Sequence, residues 1–393
     1  MAEWLSIIGI GEDGPDGLSA ASRHALRSAA AVFGGPRHLA MIDHPDRRPW
    51  PVPFSIAPVL ALRGQPVAVL ASGDPFWHGA GGTLAAALAP GEWRAFPAPS
   101  VFSLAAARIG WRIEDTLCLG LHAAPLAGLR PHLAPGRRAI LTLRDGAAVA
   151  ELARWLAAEG FGDSALAVME HLGGARERIR HARAEALDLA DIGALVAVAV
   201  TVQGAGRIMP HASGLADDWF DHDGQITKRP VRALALSALA PRPGEMLWDI
   251  GAGSGSVGIE WLLADPSCRA VAIERDVARA ERARGNADRL GAGRLAIRAG
   301  EALDLLDGLP PPDAVFVGGG GDDALLAALW GRLPAGCRLV AHAVTLETEA
   351  LLAAWHHAQG GSLLRIELSE AAPLGRRRGW KASYPVVQWS VTR

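Results

Sequence analysis

Apolar residues in this chain recur as short, β-branched runs separated by small-residue stretches of helical period. The first run, "WLSIIGIG" (4–11), predicts a buried strand, followed by a helix over "LSAASRHALRSA" and a short strand "AVFGG". "QPVAVLASGDP" (65–75) predicts another strand ending in a turn. The helix "GGTLAAALA", the strand "EWRAFPA", a helix over 100–109 and the strand "TLCLGLH" follow. From about residue 137 the alternation continues through "RRAILTL", the helix "GAAVAELARWLAAEG", "SALAVMEHLGG" and "ALVAVAVTV". Strands tied by helical crossovers predict mostly parallel pairing. The stretch "ERIRHARAEALDL" fits strand or helix equally well.

The periodicity lapses at "QGAGRIMPHASGLADD" (203–218), rich in Gly, Pro, Ser and Asp. The expectation is therefore two domains, 1–203 and 219–393, joined by a linker at 204–218. After it comes an amphipathic segment, "ITKRPVRALALSALA", and then strands "MLWDIG", "RAVAIE", "RLAIRAG", "DAVFVGG" and "RLVAHAV", each separated by helical sequence. The tail carries "LLRIELSE" and "PVVQWSV" with no room for a helix between them. A doubly wound parallel sheet ending in an antiparallel hairpin is predicted.

Composition narrows the setting. A formal net charge of −2 gives no overall basic field for nucleic acid or a membrane surface, so acidic ligands must be met by local basic clusters. The apolar run "ALVAVAVTV" is too short to span a bilayer. The opening "MAEWLSIIGIGEDG" lacks a basic n-region, so no secretory signal is expected. Cys118, Cys268 and Cys337 are far apart, which predicts free thiols in a reducing cytoplasm and no cysteine metal site. Lysine occurs only as Lys228 and Lys381, both within basic clusters.

Two glycine loops suggest chemistry. In "WDIGAGSGSVGIEW" (248–261) the loop closes a strand and opens a helix, where doubly wound sheets bind ligands. Gly251, Gly253 and Gly255 let backbone approach a ligand closely. Glu274, ending the next strand in "VAIER", suits both ribose hydroxyls of an adenosine, while Glu301 and Ala302 in "AGEA" would adjoin the adenine. A pyrophosphate is disfavoured because Asp249 precedes the first glycine; an acid there suits a cationic ligand. The strand–D-x-G-x-G-x-G pattern resembles the class I S-adenosylmethionine methyltransferases. The resemblance implies cofactor contacts from Asp249, Gly251, Ala252, Gly253, Ser254, Gly255, Glu274 and Ala302, with Thr227 at the cofactor edge. After the fourth strand stands "VFVGGGGDD" rather than an Asn-Pro-Pro-Tyr motif, which leans toward methylation at carbon or oxygen.

The other loop, "GIGEDG", fits G-x-G-x-x-G, but no acid follows its second strand, so a dinucleotide site lacks its main support. Together with "ASGDPFWHGAGG" and "PAPSVFSLAAARIG", it resembles the tetrapyrrole methylases. That resemblance implies S-adenosylmethionine in a cleft between two α/β lobes. Gly11, Gly73, Asp74, Phe76, Ser100, Val101 and Ser103 would contact it, with Leu143 and the backbone of residues 165–167 from the second lobe.

The expected fold is thus α/β throughout, a two-lobed tetrapyrrole methylase fold followed by a Rossmann-like class I methyltransferase fold. Both on one chain resemble the bifunctional precorrin-6Y methyltransferase family of cobalamin biosynthesis. The resemblance implies methylation of carbon 5 in the first domain, and methylation of carbon 15 with loss of the ring C acetate carboxyl in the second, giving precorrin-8X. It also implies two S-adenosylmethionine sites, a polycarboxylate tetrapyrrole substrate and a homo-oligomer. Candidate partners for substrate carboxylates are Lys228, Arg229 and Arg232 in one cluster, and Arg376, Arg377, Arg378 and Lys381 in another. Glu301 and His342 are alternative proton carriers for the decarboxylation. A competing reading makes the first half a non-catalytic binding module on a methyltransferase with another substrate. An oxidoreductase with two dinucleotide sites would need a second acid that the first half lacks.

Overall fold

The computed structural model describes residues 3–77 and 79–393. They form two compact units, one comprising residues up to Leu126 with Leu133–Arg207, the other Ala127–His132 with Ile208–Arg393. Met209 and Leu215, inside the expected linker, are buried in the core of the second unit.

The first unit has two lobes. In the first, β1 (Leu5–Ile10), β2 (Ala31–Gly34), β3 (Arg47–Pro49), β4 (Val67–Ser72) and β5 (Trp93–Phe96) form an all-parallel sheet of order β3-β2-β4-β1-β5. Alternate residues serve opposite faces: Leu5, Ile7, Val67 and Val69 enter one core, Ile8, Ile10, Ala68 and Leu70 the other. A strand covered on both sides must be apolar at every position, hence the unbroken runs in the sequence.

The second lobe departs from the parallel expectation. Its strands are β6 (Leu117–Gly120), β7 (Arg138–Thr142), β8 (Ala165–Glu170), β9 (Arg178–Arg183) and β10 (Val196–Thr201), in the order β6-β7-β10-β8-β9. Only β6 and β7 are parallel; β10 runs antiparallel to β7 and β8, and β9 antiparallel to β8. The ambiguous stretch is the strand β9, because the short 171–177 connection to β8 holds no crossover helix.

The second unit is a seven-stranded sheet, with β17 (Ser369–Leu374) and β18 (Arg377–Ala382) forming a separate hairpin. The sheet strands are β11 (Met246–Ile250), β12 (Arg269–Glu274), β13 (Ala296–Ala299), β14 (Ala314–Val317), β15 (Arg338–Ala343), β16 (Ser362–Ile366) and β19 (Val386–Thr392), ordered β13-β12-β11-β14-β15-β19-β16. The first five are parallel, and β19 is antiparallel to both β15 and β16. "LLRIELSE", expected as one strand, breaks at residues 367–368 between β16 and β17. The sheet divides its apolar residues by parity: Leu247, Ala272 and Phe316 face one core, Trp248, Ile273 and Val315 the other. Trp389 is wholly buried, and its indole N–H donates to Gly360 O at 2.9 Å.

Candidate active sites

Each unit has a cleft at the carboxyl ends of its parallel strands, where helix N-termini and loop backbone converge.

In the second unit the cleft measures about 1620 Å³. Its floor is the loop after β11, continuing into the helix Ser256–Ala264. Gly253 sits at φ 57°, a left-handed conformation that disfavours any side chain. Asp249, just beneath, does not reach the cleft lining. Its Oδ2 accepts the Gly258 N–H at 2.9 Å and pins the loop to the helix, whereas Oδ1 is buried without a hydrogen-bond partner. Burial, helped by the neighbouring Glu274 charge and opposed by the Gly258 bond, pushes this carboxyl up to about 7. Glu274 is 7% exposed; its Oε2 accepts the Gly253 N–H at 2.7 Å and its Oε1 the Asp276 N–H at 3.0 Å. Ionised carboxylate oxygens together offer about four lone-pair sites, so two remain for a diol.

The raised Asp249 pKa has a signed consequence. Unfolded, the carboxyl ionises near 4; folded, it holds its proton to about 7. Its contribution to stability therefore falls as pH rises across that window and levels off above it. The Asp249→Asn chain should gain stability relative to the parent from pH 4 to 7. Thermal unfolding of both ligand-free chains at pH 5, 6, 7 and 8 checks this, and a pH-independent difference would contradict it.

Thr227, Lys228, Gly251, Ala252, Gly253, Ser254, Glu274, Glu301, Ala302, His342 and Lys381 all line this cleft. Gly255 instead caps the helix start. Ser254 Oγ is buried and unpartnered. Glu301 is exposed, with Arg275 Nε 3.7 Å away. His342 is buried; its Nε2 bonds Gln388 Oε1 at 3.0 Å and its ring meets Phe316 edge-on at 5.0 Å. Burial pushes its pKa down against the Gln388 bond, so it stands as a neutral imidazole at pH 7.

The five arginines expected at substrate carboxylates are elsewhere, Arg376 in the turn before β18 and Arg377 at its start both lying outside the cleft lining. Arg232 is wholly buried, donating to Glu260 Oε1 at 2.5 Å and Asp217 Oδ1 at 3.1 Å. It faces inward because it lies on the apolar face of the helix Arg229–Leu239, beside Val231, Ala235 and Leu236. Arg229 is exposed at the start of that helix and Arg378 lies on β18; neither lines the cleft. On alternating strand positions Lys381 reaches the cleft and Arg378 does not.

The first unit's cleft, about 380 Å³, is lined by the ends of β1, β4, β7 and β8 and the start of antiparallel β10. Gly73 has φ 54°, and a Cβ there would stand 2.8 Å from Pro99 O, so the two loops meet only through glycine. Asp74 Oδ1 accepts the Phe76 N–H at 2.9 Å, holding the turn. Gly11, Gly73, Asp74, Ser100, Val101 and Leu143 line the cleft. Phe76 and Ser103 do not: Phe76 packs on Trp93 at 5.5 Å, and the Ser103 N–H donates to Ser100 Oγ at 3.1 Å as a helix cap. The second lobe contributes Met169, His171 and residues 194–197 rather than 165–167, because the lining comes from the end of β8 and not its start.

The residues present are compatible with S-adenosylmethionine: each cleft has a glycine loop without side chains, and in the second unit Glu274 lines the cleft with carboxylate lone pairs to spare.

Comparison with known proteins gives the family. Residues 5–188 match the family model of Tetrapyrrole (Corrin/Porphyrin) Methylases, and residues 218–393 that of the Precorrin methyltransferase domain. A Sinorhizobium protein named precorrin-6Y C(5,15)-methyltransferase [decarboxylating] is 48% identical over 401 residues, covering 100% of this chain and 97% of that one. The chain belongs to this family.

A Mycobacterium tuberculosis (strain CDC 1551 / Oshkosh) member of the precorrin-6Y C(5,15)-methyltransferases is 42% identical, covering 99% of this chain and 100% of its own. The solved C-terminal domain of precorrin-6Y C5,15-methyltransferase from Rhodobacter capsulatus is 53% identical, with a TM-score of 0.46, covering 47% of this chain and 100% of that chain. Like its relatives this methyltransferase is an enzyme, an α/β pair of a tetrapyrrole methylase domain and a precorrin methyltransferase domain. Several lining residues carried no sequence signal: Trp77, His171, Gln225, Arg279 and Tyr384. Trp77, His171, Gln225 and Tyr384 lie in connections between elements, where no periodicity announces which way a side chain turns, and Arg279 lies in the first turn of the helix Val277–Arg289. The glycine run at 318–321 was legible as a loop and also lines the larger cleft.

Proposed function

We propose that this chain methylates precorrin-6Y twice, at carbon 5 in the first unit and at carbon 15 in the second. The second unit also releases carbon dioxide from the ring C acetate, giving precorrin-8X. The observation that carries the reading is the presence of two separate glycine-floored clefts, one per unit, on a chain that aligns end to end with relatives named for two methylations.

S-adenosylmethionine, when bound, supplies an electrophilic methyl group on a sulfonium. In the second unit Glu274 would accept the ribose hydroxyls, and Ala302 and Glu301 would adjoin the adenine. In the first, the Gly73–Asp74 turn and the Ser100–Val101 backbone would hold it. A meso carbon of a reduced tetrapyrrole is an enamine-like nucleophile, so alignment counts for more than a strong base.

Lys228 and Lys381, both lining the larger cleft, hold substrate carboxylates as ammonium point charges. Decarboxylation leaves a carbon that must gain a proton. Neutral His342 has its Nε2 engaged with Gln388, which favours solvent-exposed Glu301 as the group that collects a proton from water. The three cysteines are free thiols, in keeping with a reducing cytoplasm. Among the described residues, no helix is long and apolar enough to cross a membrane.

Calorimetric titration with S-adenosylhomocysteine tests the reading. The expected result is two sites per chain, with Asp74→Arg abolishing one and Gly253→Arg the other. A single site, lost only with Gly253→Arg, would overturn it in favour of an N-terminal binding module.

A further inference from the structure

The first unit's cleft contains an ionisable cluster to which the cofactor reading above gives no role. Glu12 follows β1, Arg37 and His38 lie in the helix Pro36–Ala40 after β2, Ser72 ends β4, and His171 follows β8. The carboxyl ends of three first-lobe strands thus converge on one spot, and the second lobe faces it. Arg37 Nη1 donates to Glu12 Oε1, and Arg37 Nη2 to Ser72 Oγ at 2.9 Å. His171 Nδ1 donates to Glu12 Oε2 across 3.3 Å.

Glu12, Arg37, Ser72 and His171 all line the cleft, and the Glu12 side chain is 13% exposed. His171 has φ 49°, a left-handed conformation uncommon outside glycine. Such backbone persists where surrounding contacts over-determine it, and it gathers at functional sites. His38, behind the cluster, is driven down to about 4 by burial and by Arg37, so it adds no competing positive charge.

We infer that Glu12 is the proton acceptor of the N-terminal methylation, with Arg37 and His171 as its positioning residues. The inference rests on the reading of this cleft as the one that methylates a meso carbon. That carbon carries one hydrogen. Its π electron pair forms the new bond to the methyl carbon, while the pair of the broken carbon–sulfur bond stays on sulfur. The meso carbon then bears both hydrogen and methyl, next to a conjugated nitrogen cation. Conjugation returns when the C–H pair moves back into the ring and the proton leaves, here to a Glu12 oxygen and then to water.

A proton beside such a cation is acidic, so an ordinary carboxylate suffices. Arg37 and His171 each engage one lone pair of Glu12, and the remaining pairs are free to accept. Before the proton moves, the fixed anion also stabilises the positive charge arriving on the ring. The other carboxylate in the lining, Asp74, is committed through Oδ1 to its own turn.

The test compares Glu12→Gln and Glu12→Asp in the full chain. Three quantities are read: S-adenosylhomocysteine binding to each site, the single-turnover rate at which the methylated and deprotonated first-unit product forms, and that rate with substrate deuterated at the meso carbon. Loss of a general base typically costs about 100-fold or more, and that fall is expected for Glu12→Gln, with partial recovery in Glu12→Asp. Both sites should keep their affinity, and a primary isotope effect should appear in Glu12→Gln as proton removal becomes limiting. An unchanged rate in Glu12→Gln overturns the inference. So does a rate loss that tracks a lost binding site, which marks a structural latch between the lobes. Absence of a first-unit site in the parent chain would instead sink the underlying reading of the cleft.

Discussion

Arg232→Met is expected to cost the second unit about 3–5 kcal/mol, because it strands Glu260 as a buried carboxylate without its cation. The size follows from the surroundings. Arg232 is fully buried and donates to Glu260, Asp217 and the carbonyls of Thr227 and Leu215, with its guanidinium 4.9 Å from the Phe220 ring centroid. Glu260 in turn accepts the N–H groups of Gly214 and Leu215 at 2.6 and 3.0 Å. The pair therefore ties residues 214–227 to two helices, and that segment carries Gln225 and Thr227 to the cleft beside the loop after β11. At roughly 2–4 °C per kcal/mol for a unit of this size, the transition should fall by about 10 °C. Replacing Glu260 with methionine as well should restore much of the loss, since the unpaired charge causes most of it. Scanning calorimetry of the two single variants and the double variant reads the coupling. Additive losses would show that Arg232 and Glu260 act separately.

Glu274→Ala should abolish measurable S-adenosylhomocysteine binding to the second unit while sparing the first. Each hydrogen bond to a charged acceptor contributes about 1.5–3 kcal/mol, so losing two to a ribose weakens binding by at least about 100-fold. The Gly253 N–H also loses its acceptor, which loosens the loop that the ligand must meet. Calorimetric titration at one pH distinguishes the outcomes. Two sites of parental affinity in the variant would remove Glu274 from the site.

Both results depend on residues whose roles the sequence revealed unequally. Glu274 was legible because three constraints coincide in one dimension: a strand end, a glycine loop one strand earlier, and the fixed spacing of a βαβ unit. Gly73, Asp74 and Ser100 were legible in the same way, each just beyond a strand. Arg232 misled because its neighbours Lys228 and Arg229 are exposed, and charge clustering along a chain says nothing about which side of a helix each charge takes. Helical period does say it: Arg232 shares a face with Leu236 and Leu239, and the apolar stripe carried the guanidinium inward to a partner 28 residues away. Arg378 and Lys381 differ for a similar reason, since the edges of the β17–β18 hairpin depend on where "LLRIELSE" breaks.

The chain's own pattern was enough for what is local or periodic: alternating elements, apolar strands, the glycine loops that close two of them, and Glu274 one strand beyond the second loop. Short-range sterics and burial on both faces of a sheet leave little freedom there. Strand order in the second lobe, the burial of Arg232 and the meeting of Glu12, Arg37, Ser72 and His171 were decided only in three dimensions. Those features join residues up to 159 positions apart, and their energy comes from desolvation and pairing that exist only once the chain has closed around them.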